Sequence, residues 1–132
     1  MIVDTSALIA ILYGEPEAPA LLELLHDADT NRISAANYVE LFLVAEGQYG
    51  AGMVLKAEAL LKAADVVVEP VTLEQADLAR QAFSRFGRGR HKAALNYGDC
   101  FSYALARALQ EPLLFKGDDF SRTDVKIVDY RH

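Results

Sequence analysis

Short apolar runs alternate with longer stretches of helical period along this chain. That alternation specifies an α/β domain, in which buried strands are joined by crossover helices. Ile2-Val3 reads as a very short strand ending at Asp4, with Thr5 and Ser6 placed to cap a helix through Tyr13 that stops at Gly14. A second helix is expected from about Pro16, with Leu21, Leu24, Leu25 and Ala28 on one face. Arg32-Ile33-Ser34 follows as a strand. The stretch from Asn37 to Tyr49 is apolar almost all round and predicts a buried helix, with Glu40 in its midst. Another helix covers about Met53 to Ala64, and Val66-Val67-Val68 is the clearest strand by β-branched content. Thr72 and Gln75 form a capping-box pattern for a helix ending before Gly87. Tyr97 to Leu109 is a further helix closed by Pro112. Leu113-Leu114-Phe115 and Val125 to Val128 are strands on either side of a turn at Lys116-Gly117-Asp118-Asp119.

At 132 residues the chain suits a single domain spanning 1–132, large enough to bury roughly two-thirds of its unfolded surface. Cys100 is the one cysteine and no zinc-type Cys/His spacing occurs, so nothing calls for an oxidising compartment. The start carries an acid where a signal peptide would be apolar, and no run of about 18 apolar residues occurs. A cytoplasmic protein without membrane association is expected.

Sites in open α/β sheets form beyond the carboxyl ends of the strands. The candidate acids fall there: Asp4 closes the first strand, Glu40 follows the second by a turn of helix, Asp99 opens a helix, and Asp118 and Asp119 follow Leu113 to Phe115. Each also has a plainer reading. Asp4 could end a strand or cap a helix, Glu40 could complete a capping box with Asn37, Asp99 could serve a helix N-terminus, and Asp118 or Asp119 could belong to a turn. Taken together they point further, because Glu40 and Asp99 lie beside largely apolar helices where a charge needs a partner, and no Lys or Arg stands near in sequence. Carboxylates about 5 Å apart repel by about 3 kcal/mol per pair at an effective dielectric of 20. Either some take up protons or a divalent cation sits among them. Oxygen-only ligands select a hard ion such as Mg²⁺ or Mn²⁺, and phosphodiester hydrolysis is the natural chemistry of such a site.

These residues resemble the PIN-domain nucleases, and among them the VapC toxins of type II toxin–antitoxin systems. The resemblance rests on Met1-Ile2-Val3-Asp4-Thr5-Ser6-Ala7, on Ile33-Ser34-Ala35 followed by Glu40, on Leu95-Asn96-Tyr97-Gly98-Asp99-Cys100, and on Leu113 through Phe120. It implies a three-layer α/β/α fold around a central, mostly parallel sheet of short strands, and a Mg²⁺-dependent endoribonuclease in which Mn²⁺ can substitute. Asp4, Glu40 and Asp99 match three acids of the family's metal site. In Gly-X-Asp-Phe the aspartate precedes the aromatic, which selects Asp119 and leaves Asp118 at the variable position. Thr5 and Ser6 match hydroxyl positions that bind metal water or phosphate, or serve only as caps. The resemblance further implies a homodimer silenced by a VapB-type antitoxin, with DNA contacted only through that antitoxin.

A net charge of −6 weighs against a protein that coats nucleic acid, yet the charge is uneven. Residues 1–79 carry −10, residues 80–98 carry +5 and residues 99–132 carry −1. Arg80, Arg85, Arg88, Arg90 and Lys92 therefore form a local basic segment, loosened by Gly87 and Gly89, that leads into the helix bearing Asp99. RNA phosphates beside the metal are the expected ligand of Arg85, Arg88, Arg90 and Lys92, against a plain solvated loop or a docking strip for an acidic partner. His26, His91 and His132 have no spacing partner and are given no catalytic role.

A non-catalytic regulatory domain with an acidic, ion- or phosphate-binding pocket is the alternative. A response-regulator receiver needs paired acids after its first strand, and Val3-Asp4-Thr5-Ser6 supplies one. A haloacid-dehalogenase-type phosphatase needs Asp-x-Asp-x-Thr, and Ser6 stands where its second aspartate would be. A PIN-like protein that acts by binding alone would lack one of the acids, and all are present here.

Overall fold

The computed structural model describes residues 1–130; His132 lies outside them. The elements follow in the order β1 (Ile2–Val3), α1 (Thr5–Leu12), α2 (Ala18–Asp27), β2 (Asn31–Ser34), α3 (Ala35–Tyr49), α4 (Ala51–Ala63), β3 (Val66–Glu69), α5 (Leu73–Phe86), α6 (Tyr97–Leu109) and β4 (Leu113–Leu114), then a 3₁₀ turn at Phe120–Arg122. The four strands make one all-parallel sheet in the order β3-β2-β1-β4, with Ile2 opposite Arg32 and Leu113, and Asn31 opposite Val66.

Alternation along these short strands builds a core on each face of the sheet. Ile2 and Leu113 turn to one side and pack with Leu95, Tyr103 and Leu105 of the α5/α6 layer. Val3, Ile33 and Leu114 turn to the other and meet Leu8, Leu21, Leu41 and Ala57 from α1 to α4. The result is the expected three-layer α/β/α sandwich. A two-residue strand suffices because both faces are covered, the burial that parallel sheets require.

The chain winds outward from β1 through β2 to β3, then returns to lay β4 on the other side of β1. The carboxyl ends of β1 and β4 therefore flank the topological switch point, where a crevice opens between diverging connections. Asp4 sits at that point, its backbone N–H donating to Leu114 O at 2.9 Å.

Several local expectations are corrected. Asp4, not Thr5 or Ser6, caps α1: its side chain accepts from Ser6 N, and the helix ends at Leu12 with Tyr13 as its C-cap. α2 starts at Ala18, where Pro19 supplies the first-turn proline, so Pro16 stays in the preceding turn. Phe115 lies past the end of β4, and Val125 to Val128 form no strand; Ile127 makes a single parallel bridge to Leu113. At Thr72 the hydroxyl accepts from Gln75 N at 3.1 Å, while Gln75 Oε1 is left without a partner, so the box is half made.

The largest difference concerns α3. Only Asn37, Leu41 and Ala45 are buried, one residue per turn, while Val39 is 53% and Leu43 67% exposed. An all-round apolar sequence does not bury itself; one chain supplies neighbours for one face of this helix.

Candidate active site

Each acid reaches the switch point by its own device. Asp4 leaves β1 almost fully buried, and its carboxylate accepts Ser6 N at 3.0 Å and Ser102 Oγ at 2.5 Å. Glu40 stands in the second turn of α3, a helix capped by Ser34, which accepts from Ala36 N. Its capping-box role with Asn37 is thereby excluded; instead Asn37 Nδ2 donates to Glu40 Oε1 at 3.2 Å. Asp99 does serve its helix: it accepts Asn96 N at 3.0 Å while Asn96 accepts Asp99 N at 2.9 Å, a complete capping box. That commits one carboxylate oxygen and fixes the side chain at the positive end of α6. Asp119 is exposed just before the 3₁₀ turn, and the buried Phe120, edge-on to Phe115, anchors the loop that carries it.

The four acids feel one another. Burial, followed by the charge of Asp4, pushes the Asp99 carboxyl up to about 7 against the pull of the Asn96 N–H, and Asp119 and Glu40 add to the rise. Burial likewise raises Asp4, opposed by its hydrogen bonds to Ser102 and Ser6 and reinforced by Glu40. Asp119 is thus close enough for its charge to act on Asp99.

Nearby cations are engaged elsewhere: Arg32 pairs with Glu69 and Glu111, Arg85 and Arg107 with Asp124, and Lys116 with Glu15 and Glu17. As placed, no three His, Cys, Asp or Glu side chains among the described residues stand close enough to hold an ion together. The carboxylates thus share one field without forming a ligand cage as placed. The donor set itself fits a hard dication: oxygen only, partly buried, and in no ion pair with a Lys or Arg among the described residues.

Gly98 is part of the same construction. A Cβ there would collide with both carboxylate oxygens of Glu40, so glycine admits that side chain beside Asp99. The obstacle is the end of a flexible side chain. Gly98→Ala should therefore keep or raise thermal stability, since alanine favours a helix by up to about 1 kcal/mol over glycine, while RNA cleavage falls at least about tenfold as Glu40 is displaced. Thermal unfolding measured beside cleavage rate separates the two; unchanged cleavage would remove Glu40 from the site.

The hydroxyls predicted beside Asp4 hold the frame instead of capping it. Thr5 Oγ1 donates to Asn37 O at 3.2 Å, and Ser6 Oγ accepts from Lys116 N at 3.0 Å, tying the β4 loop to α1. Two buried residues without a sequence motif join them, Asn37 and Ser102, hydrogen-bonded to each other at 3.0 Å. Their one signal was position: each is polar on a mostly apolar helix, three residues from an acid.

The basic segment divides. Arg80 and Arg85 belong to α5 and not to a loop; Arg80 pairs with Asp77 and Arg85 with Asp124, which also binds Arg107 and Tyr103. Arg88, Arg90 and Lys92 are exposed on the connection to α6, Arg90 lying over the Phe83 ring at 5.6 Å. Of the four residues expected at RNA, Arg85 is thus paired with Asp124 and the other three stand exposed on the connection.

The PIN-domain family model matches residues 1–126. A curated relative, VapC ribonuclease Mb0625 of Mycobacterium bovis, is 51% identical over 127 residues, covering 96% of each chain. Among solved structures, Mycobacterium tuberculosis VapC20, described as a Sarcin-Ricin loop cleaving toxin, superposes with a TM-score of 0.78 at 21% identity over 96% of this chain and 97% of that one. VapBC2 of Rickettsia felis, solved bound to a DNA fragment from its promoter, gives 0.75 at 16% identity over 97% and 96%. The structural likenesses establish the fold, and the family and sequence matches set aside the receiver and phosphatase alternatives. With a family match over almost the whole length and half of its residues shared with a curated relative, the chain belongs to the PIN-domain family, in its VapC ribonuclease branch.

Proposed function

We propose that this protein is the toxin of a toxin–antitoxin pair and an endoribonuclease that hydrolyses RNA phosphodiester bonds, with Mg²⁺, or Mn²⁺ in its place, held by Asp4, Glu40, Asp99 and Asp119. The observation that carries this reading is the meeting of four acids at the switch point of the sheet, where burial and then the neighbouring charges raise Asp99 to about 7 and no ion pair among the described residues engages any of the four. A dication held by Asp4, Glu40, Asp99 and Asp119 would serve to activate water and to offset charge on the phosphoryl oxygens. The chain's own residues do the rest. Asp4 and the capped Asp99 present carboxylate oxygens from a strand end and a helix start, two rigid elements. Gly98 leaves room for Glu40, and Phe120 anchors the loop bearing Asp119. Purified protein should cut RNA in Mg²⁺, stop on chelation with EDTA and resume when Mg²⁺ is restored in excess; cutting that continues in EDTA would refute the metal's role.

Arg88, Arg90 and Lys92 are proposed to take substrate phosphates on the way to the site. Neutralising all three should weaken RNA binding and reduce the slope of log K against log salt by up to about 2, at ~0.7 per single-strand phosphate contact. An unchanged slope would assign the loop to solvent or to a protein partner.

The partner reading is a VapB-type antitoxin, as in the Rickettsia felis assembly on promoter DNA. Val39 and Leu43 on α3 and Leu55 on α4 leave more than half of each side chain uncovered, apolar surface that such a partner can bury. A homodimer, DNA contact only through the antitoxin and a cytoplasmic location belong to the same proposal. Among the described residues no helix is long and apolar enough to cross a membrane.

A further inference from the structure

Two fully buried polar side chains lie among the acids without being acids themselves: Asn37 on α3 and Ser102 on α6. A buried amide or hydroxyl is costly unless its hydrogen bonds are made, and here the protons can be accounted for. Asn37 Nδ2 gives its two protons to Gly98 O at 2.9 Å and to Glu40 Oε1 at 3.2 Å. Both partners are acceptors, so the amide must face them nitrogen first, and its oxygen then turns to Ser102 Oγ at 3.0 Å. Ser102 Oγ is also 2.5 Å from Asp4 Oδ1; its single proton serves one neighbour at a time, and an ionised carboxylate is the stronger acceptor. Thr5 Oγ1 holds the Asn37 carbonyl from the other side at 3.2 Å. With its proton on Asp4, Ser102 ties the end of β1 to α6, while Asn37 ties α3 and its Glu40 to the α6 backbone beside Asp99, the two side chains touching at 3.0 Å.

We propose that Asn37 and Ser102 are positioning residues of the metal site, a neutral brace that holds Asp4 and Glu40 in register with the N-terminus of α6. This rests on the metal-dependent reading of the site. Two carboxylates from separate elements repel, and something must hold them at fixed separation. A lysine or arginine between them would neutralise the charge that attracts the cation. An amide and a hydroxyl donate to the carboxylates and leave that charge intact. Ligand oxygens braced from behind need no ordering when the ion arrives, the role outer partners play in metal sites generally.

Mn²⁺ titration of the purified full chain, with free Mn²⁺ read by its EPR signal, tests the brace without reference to catalysis. Ser102→Ala and Asn37→Ala should each weaken Mn²⁺ binding by roughly 10–100-fold. The double variant should lose less than the product of the two, because the side chains are in contact and brace the two carboxylates against the same helix. Ser102→Thr restores the hydroxyl and should recover most of the affinity even where its extra methyl lowers the unfolding temperature, a split that a purely packing role would not produce. Ser102→Cys, close to serine in size and a weak donor, covers the case in which alanine does not fold, and it too should bind Mn²⁺ more weakly. Wild-type affinity in Ser102→Ala or Ser102→Cys, with Asp4→Asn impaired, would overturn the brace and leave the metal site standing. Wild-type affinity in Asp4→Asn would instead overturn the metal reading beneath it.

Discussion

Asp4→Asn and Asp99→Asn proteins should each cut RNA at least ~100-fold more slowly than wild type in Mg²⁺, a loss of about 2.7 kcal/mol of transition-state stabilisation. The substitution is nearly isosteric; at Asp99 it leaves an oxygen to accept Asn96 N, so the cap of α6 survives, while at Asp4 the single amide oxygen can serve Ser102 Oγ or Ser6 N but not both. What it removes is charge. Burial works against that charge at both positions, strongly enough to bring Asp99 to about 7, so Asp99→Asn should leave metal-free stability unchanged or raised, whereas at Asp4 the gain is offset by one lost hydrogen bond. A variant that is at least as stable and at least 100-fold slower has lost chemistry and not structure. Single-turnover cleavage with excess protein, beside a thermal melt in EDTA, makes the comparison. An Asp99→Asn protein that cut as fast as wild type, freed of contaminating nuclease, would remove Asp99 from the metal site.

The same electrostatics predict how stability changes with pH, and the sign follows from proton counts. Asp99 has its folded pKa raised to about 7 from an ordinary 3.8, so between those values the folded state binds more protons than the unfolded chain. Stability then falls as pH rises across that window and levels off above it; Asp4 acts in the same direction. Asp124 is held low by the Tyr103 hydroxyl and by Arg107 and Arg85, which outweigh its partial burial, and its contribution is lost only below about pH 4, outside the window. Metal-free protein should therefore melt at a lower temperature at pH 8 than at pH 5.5. Mg²⁺ should raise the melting temperature more at pH 8, where the acids are ionised; a hundredfold excess over its Kd stabilises the folded state by about 2.7 kcal/mol. Asp99→Asn should flatten the pH dependence and shrink the Mg²⁺ effect. Equal Mg²⁺ stabilisation at both pH values would mean that the ion binds away from these carboxylates.

The acids of the site were legible in the sequence because chemistry and position coincide in them: a carboxylate at the end of a short apolar run, or beside an apolar helix face, has few places to go in a parallel sheet. Asp119 was separable from Asp118 only by its place before Phe120, and the burial of that aromatic supplies the reason. Asn37 and Ser102 were not legible as site residues, since a neutral polar side chain on a helix is equally at home in water. Only the fold places them between two carboxylates. Arg85 falls on the helix expected to end before Gly87, and what the sequence does not show is its pairing with Asp124, a residue 39 positions away. The exposed side of α3 marks a different limit. Apolar periodicity records everything a helix packs against, including partners outside its own chain, so the Asn37–Tyr49 stretch reads as more buried than one chain makes it. The strand expected at Val125 to Val128 shrank to one bridge because a sheet edge is set by which neighbour is within reach, which β-branched content does not encode.

The chemistry of the ends left on RNA tests the central claim most directly. Hydrolysis by water at phosphorus, the reaction four carboxylates and a hard dication are built for, leaves 5′-phosphate and 3′-hydroxyl termini, whereas attack by the neighbouring 2′-hydroxyl leaves a 2′,3′-cyclic phosphate. Fragments from the Mg²⁺-dependent reaction should ligate to an adaptor that requires a 5′-phosphate and should show no cyclic ends by mass spectrometry. Cyclic phosphate on those fragments would contradict the mechanism even though RNA had been cut.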